Sequence, residues 1–106
     1  MPFYRCWGGS NLNSAEQKAF RGTSSGWLTT ITLDKNYTFA YIVTSNNILD
    51  GNDTYVYVSL NGVKQKGTYM QASGSTLICL KAVMLRNLKK GDVVTVRGLG
   101  FGTFIE

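Results

Sequence analysis

Tyr55-Val56-Tyr57-Val58-Ser59-Leu60-Asn61-Gly62-Val63-Lys64-Gln65-Lys66 is the stretch whose reading decides the fold. Its first six residues are aromatic, β-branched or strand-compatible and alternate as a half-buried strand requires. Asn61-Gly62 follows, the pair preferred in a type I′ turn because both central residues must adopt positive φ. Val63 onward then returns as the partner strand, so the stretch predicts a β-hairpin.

Working outward, the same period of two recurs. Tyr37, Phe39, Tyr41 and Val43 alternate with Thr38, Ala40, Ile42 and Thr44, and strand signals run from Trp27 onward. Thr76 to Arg86 is long and mostly apolar. Leu80, Lys81, Ala82, Met84 and Leu85 are also good helix formers. Gly74 and the turn-rich Asn87–Gly91 bracket it, and Asp92-Val93-Val94-Thr95-Val96-Arg97 pairs naturally behind it, which favours a strand. Phe101-Gly102-Thr103-Phe104-Ile105 closes the chain as a last short strand. Nearer the start, Pro2 to Trp7 reads as a strand and Gly8-Gly9-Ser10-Asn11 as a loop. Asn13-Ser14-Ala15-Glu16 resembles a capping box, so one helical turn is expected over Ser14 to Ala19. About eight strands at this spacing predict an all-β sandwich or barrel formed as a single domain over residues 1–106.

Composition bounds the chemistry. The chain has 106 residues, 43% hydrophobic and 16% charged, which marks a globular domain with one modest core. Charge this sparse predicts that part of the surface is covered. The net charge of +5 lies in the second half. Residues 1–63 balance Arg5, Lys18, Arg21 and Lys35 against Glu16, Asp34, Asp50 and Asp53. Lys64, Lys66, Lys81, Arg86, Lys89, Lys90 and Arg97 follow, and such a basic half either steers toward an anionic partner or solubilises a face. Met1 leads into Pro2-Phe3-Tyr4-Arg5 without a leader pattern, and no apolar stretch is long enough to span a bilayer. The expectation is synthesis in the cytosol. Cys6 and Cys79 are expected as two buried free thiols, with a bridge between them as the alternative.

The sequence contains no histidine, which removes the commonest general base, the Ser-His and Cys-His pairs and the usual zinc sites. Six carboxylates show no spacing that favours sugar hydrolysis. Gly98-Leu99-Gly100-Phe101-Gly102 is glycine-rich but precedes no helix, so it lacks the context of a phosphate-binding loop. No enzyme and no cofactor are expected. Asp50-Gly51-Asn52-Asp53 offers oxygen ligands for calcium, but without the glycine and closing glutamate of a helix–loop–helix site it reads better as a surface turn.

Three stretches, in order, resemble the jelly-roll family shared by the globular head of complement first component q and by tumour necrosis factor. Gly26-Trp27 through Asn36-Tyr37-Thr38-Phe39-Ala40-Tyr41 looks like the family's glycine and aromatic before an aromatic-rich strand. Val58-Ser59-Leu60-Asn61-Gly62 is similar to its strand ending in Asn-Gly. Leu88-Lys89-Lys90-Gly91-Asp92-Val93-Val94-Thr95-Val96, then Phe101 to Ile105, resembles its last two strands, although Gly102 stands one position early and the chain is short for the family. The resemblance covers about 80 residues, from Gly26 to Glu106.

It implies a compact antiparallel jelly-roll sandwich assembled as a homotrimer. Tyr37, Phe39 and Tyr41 then lie either in the core or at the trimer interface, and Phe101 and Phe104 are placed at the interface. By the same analogy the function is a non-enzymatic structural or recognition module. A phage virion component (capsid decoration, head-fibre or tail and baseplate protein) is its setting, made in the host cytoplasm. Lys64, Lys66, Lys89 and Lys90 would meet an anionic partner, an acidic capsid surface or a cell-surface polymer. Trp7 and Trp27 are expected in the core, with stacking on sugars in a glycan-binding module as the alternative. The rival reading is a basic β-barrel that binds nucleic acid.

Overall fold

A computed structural model describes residues 15–22, 26–48, 54–72 and 78–106. Nine strands lie among them: β1 (Ala15–Phe20), β2 (Leu28–Thr32), β3 (Tyr37–Asn46), β4 (Tyr57–Leu60), β5 (Val63–Lys64), β6 (Thr68–Ala72), β7 (Ile78–Leu88), β8 (Val93–Arg97) and β9 (Leu99–Ile105). They form two antiparallel sheets, ordered β1-β9-β3-β7-β6 and β2-β8-β4-β5. Among the described residues no helix is long and apolar enough to cross a membrane.

The pairing is nested. β1 lies beside β9, β2 beside β8, β3 beside β7 and β4 beside β5, as if one long hairpin had been rolled up around the Asn61-Gly62 turn. That turn has the geometry its sequence requires, with φ of 52° at Asn61 and 84° at Gly62. Asn61 also ties two turns together. Its Nδ2 donates to Asp92 Oδ1 at 3.2 Å, and its Oδ1 accepts from the Val93 amide at 2.9 Å.

The core lies between the sheets. Phe20, Ala40, Ile42, Val83, Leu85, Leu88 and Phe104 come from the five-stranded sheet, and Val58, Val94 and Val96 from the other. Each large apolar side chain buried here contributes about 2 kcal/mol relative to exposure. Polar groups at the inner side are satisfied: Thr44 Oγ1 donates to the Arg97 carbonyl at 2.8 Å, and Asn46 Nδ2 to the Tyr55 carbonyl at 3.0 Å.

Alternation breaks once, in two neighbouring strands at the same height. Arg86 and Asn87 are both exposed before buried Leu88, and Asn87 has φ of 55°. Opposite them, Thr38 is exposed between buried Tyr37 and half-buried Phe39. The matched breaks keep the register, with Tyr37 opposite Leu88 and Phe39 opposite Arg86, and they turn Tyr37 inward.

Three expectations are corrected. Ala15–Phe20 is a strand and no helical turn forms from Ala15 to Ala19 (Ser14 lies outside the described residues), because pairing along β9 satisfies its backbone. Strand β4 begins at Tyr57, two residues later than its sequence pattern. Trp27 is not a core residue: it stands in a turn with φ of 60° and its side chain is partly exposed. Cys79 is a buried free thiol that donates to the Ile48 carbonyl; Cys6, Trp7, the Pro2–Trp7 segment and the Asp50–Asp53 turn lie outside the described residues.

Candidate functional site: an outward apolar sheet face

Alternation along the five-stranded sheet sends one set of side chains away from the core. From β9 these are Leu99, Phe101, Thr103 and Ile105, because Gly100, Gly102 and Phe104 take the inner positions. Gly102 gives up its side chain to make room: a Cβ there would press on Phe104, Ile42 and Phe20. From β3 the outward set is Phe39, Tyr41, Val43 and Ser45, from β7 Ile78, Leu80, Ala82, Met84 and Arg86, and from β6 Thr68, Met70 and Ala72. Edge strand β1 adds Ala15, Gln17 and Ala19.

Among the described residues this face is mostly apolar and exposed. Phe101 is 62% exposed, Met70 51%, Met84 49% and Tyr41 44%. Registered rows bring them side by side: Ala19, Phe101, Val43 and Ala82 in one, Gln17, Thr103, Tyr41 and Met84 in the next. Beside Phe101 the surface dips into an open depression of about 610 Å³, floored by Val43, Leu80 and Leu99. Two guanidinium groups border it among the described residues: Arg21, directly after β1, lines the depression beside Phe101, and Arg86 on β7 lies 5.7 Å from the Phe39 ring centroid.

The five aromatics singled out from the sequence therefore divide. Tyr41 and Phe101 are exposed on this face and Phe39 is half-buried on it. Tyr37 and Phe104 are buried in the chain's own core, packed edge to face with centroids 5.3 Å apart, so neither has surface left to offer. Met70, Met84 and Leu99 complete the face, and the sequence reading passed them over. Register is the signal that finds them, since each falls on the same parity as Tyr41 once the strands are aligned.

The four lysines do not gather into one patch. Lys89 and Lys90 sit on the β7–β8 turn, where the Lys90 amide donates to Asn36 Oδ1. Lys64 lies on edge strand β5 with its ammonium 4.4 Å from the Tyr57 ring centroid, and Lys66 lies on the segment that crosses to β6. At the end of the sandwich where β1 begins, Glu16 accepts from Tyr37 Oη at 2.8 Å and pairs with Lys18 at 2.9 Å and Lys35 at 3.1 Å. Lys35 reaches on to Glu106 at 2.8 Å. Lys18 first, then Tyr37 and Lys35, hold the Glu16 carboxyl down at about 2. Among the described residues no three metal-ligating side chains gather. No family model matches the chain, and no curated protein or solved structure matches it.

Proposed function

We propose that this chain is a jelly-roll module that assembles as a homotrimer through the outward face of its five-stranded sheet. In this reading it works without catalysis, as a structural or recognition component of a phage virion. The exposed apolar face carries the assembly reading. Five strands about 4.8 Å apart and some seven residues long give a contiguous surface of roughly 400 Å². The largest apolar patch of a small protein commonly reaches that size and is often functional. An occupant matching this face needs to be apolar and aromatic, poor in charge and of the same extent, and a second and third copy of the face meet that requirement.

The nested strand pairing supports the jelly-roll reading, since that fold is a long antiparallel ribbon rolled into two sheets. β6 adds a strand beyond the eight of the simple form. The virion setting rests on the family resemblance alone. Within it the module's action is geometric: three copies dock on a threefold lattice point or present three equivalent surfaces to an anionic polymer.

Light scattering behind a sizing column tests the assembly. A mass near three times 11.7 kDa is expected for the wild type, with Phe101→Asp and Met84→Lys giving folded monomers, because each places an unpaired charge in the contact. A wild type that stays monomeric at all concentrations overturns the reading.

A second reading, nucleic-acid binding, draws on the outer face of the four-stranded sheet. Lys64 lies over Tyr57, and the Arg97 guanidinium lies 5.0 Å from the Tyr55 ring centroid. Arg97 is committed to the fold, donating to the Gly26 and Thr54 carbonyls at 2.8 Å, so these rings are covered by their own cations. Binding to single-stranded DNA with a steep salt dependence would favour this rival.

A further inference from the structure

Trp27 is held where a tryptophan rarely stands. Its φ is 60°, directly after Gly26 at 78°, and the left-handed region disfavours a bulky side chain unless its surroundings fix it there. Here they do, from two sides. A Cβ on Gly22 would stand 2.8 Å from the Trp27 Cα, so the absence of a side chain lets the two segments meet. From the other side the Gly98 amide donates to the Trp27 carbonyl at 2.9 Å. All this does not bury the residue, which stays 38% exposed. A strained backbone that leaves a large aromatic side chain at the surface is the mark of a binding residue more than of a packing one.

Two depressions of about 230 and 280 Å³ flank it, and Trp27 and Asn46 line both. Ile48 and Arg97 complete the first, and Ser45, Asn47 and Leu99 the second. The lining selects its ligand. No carboxylate is among the described residues that form it, so a cation finds no counter-charge. A wholly apolar ligand would strip water from the Asn47 carboxamide and the Ser45 oxygen and return no hydrogen bond. Ser45 donates its hydroxyl to the Leu99 carbonyl at 3.1 Å, which leaves its oxygen to accept. Arg97, the one cation in either lining, is drawn to the Gly26 and Thr54 carbonyls and the Tyr55 ring, a poor arrangement for gripping a phosphate. What fits is a neutral ring with a flat C–H face and a rim of hydroxyl groups, the chemistry of a pyranose.

We propose that Trp27 is the stacking platform of a saccharide-binding site, its indole against the C–H face of one sugar and Ser45 and Asn47 bonding the hydroxyl groups beside it. With a depression on either side, the site suits an oligosaccharide better than an isolated ring. It lies at one end of the sandwich, where the turn before β2 meets the ends of β3 and β8, and it does not rest on the trimer reading.

Calorimetry on the wild type tests it, with maltotriose, cellotriose and triacetylchitotriose as the probes and a ten-nucleotide oligothymidylate as the contrast. Saturable binding of at least one trisaccharide is expected. That sugar should bind about ten-fold more weakly to Trp27→Ala, which removes the stacking ring, and within about three-fold of wild type to Trp27→Tyr, which keeps one. Asn47→Ala should weaken it about five-fold, as the loss of one hydrogen bond does. Circular dichroism of each variant verifies that the strands persist. In a Trp7→Phe background Trp27 is the sole indole, and its fluorescence should change with the same midpoint. If none of the three sugars binds, or Trp27→Ala binds as tightly as wild type, the site is overturned. Binding of oligothymidylate alone overturns it as well and gives the ring to nucleic acid.

Discussion

Glu16 joins three side chains from three parts of the chain: Lys18 on its own strand, Lys35 in the β2–β3 turn and Tyr37 at the start of β3. Because its carboxyl is held at about 2, against 4.5 in the unfolded chain, the folded state prefers the ionised form. The resulting stability is present above pH 4.5 and is lost as pH falls through the range from 4.5 to 2. Melting temperatures measured from pH 7 to pH 2 should fall through that window, and Glu16→Gln should lower the neutral-pH value and flatten the fall. Gly100 acts by omission. A Cβ there would overlap the Val43 carbonyl oxygen of the neighbouring strand, so Gly100→Ala must force β9 away from β3. We expect a loss of about 3 kcal/mol in a denaturant titration.

Among the elements, the β4–β5 hairpin was the most legible, since Asn61-Gly62 specifies its own turn. Asn61 has a second task that no local pattern announces, the bridge to Asp92 and Val93 on the β7–β8 turn. The two tasks separate by substitution: Asn61→Gly keeps the turn and loses the bridge, at about 1 kcal/mol. Asn61→Ala loses both, and should cost about 2 kcal/mol by the same titration. Strand β3 was readable from its period of two, and β7, β8 and β9 from apolar, β-branched runs set between turn signals. β1 was not, because the weak capping-box pattern of its first residues competed with an edge strand whose side chains are mostly exposed. On β9, Phe101 and Phe104 lie three residues apart and so face opposite ways. The period of two alone was enough to separate them. Tyr37 is different in kind: it shares parity with Phe39 and Tyr41, and only the break at Thr38, matched by left-handed Asn87 on the partner strand, turns it into the core.

At the scale of the whole molecule, the sequence carried the all-β, two-sheet architecture but not the identity of the exposed face. That face is assembled from strands far apart in the chain and exists only once the register is set. If it is covered by two further copies, Tyr41 and Met84 should lose solvent access together. Oxidation of Met84 by dilute peroxide should then be slow in the assembled protein and fast in the Phe101→Asp variant. The nested pairing also sets how the chain reaches this state. Asn61-Gly62 closes the shortest loop, whereas β1 must find β9 across a separation that takes Ala15 to Ile105. Loop-closure entropy rises with that separation, so the hairpin at the centre of the ribbon forms early and the β1–β9 seam closes last. Folding is accordingly expected on the millisecond-to-second scale of non-local β proteins. Until β1 arrives, one edge of β9 stands open for pairing with another chain, which makes the order of events in folding, as much as the final contacts, a determinant of whether copies meet correctly.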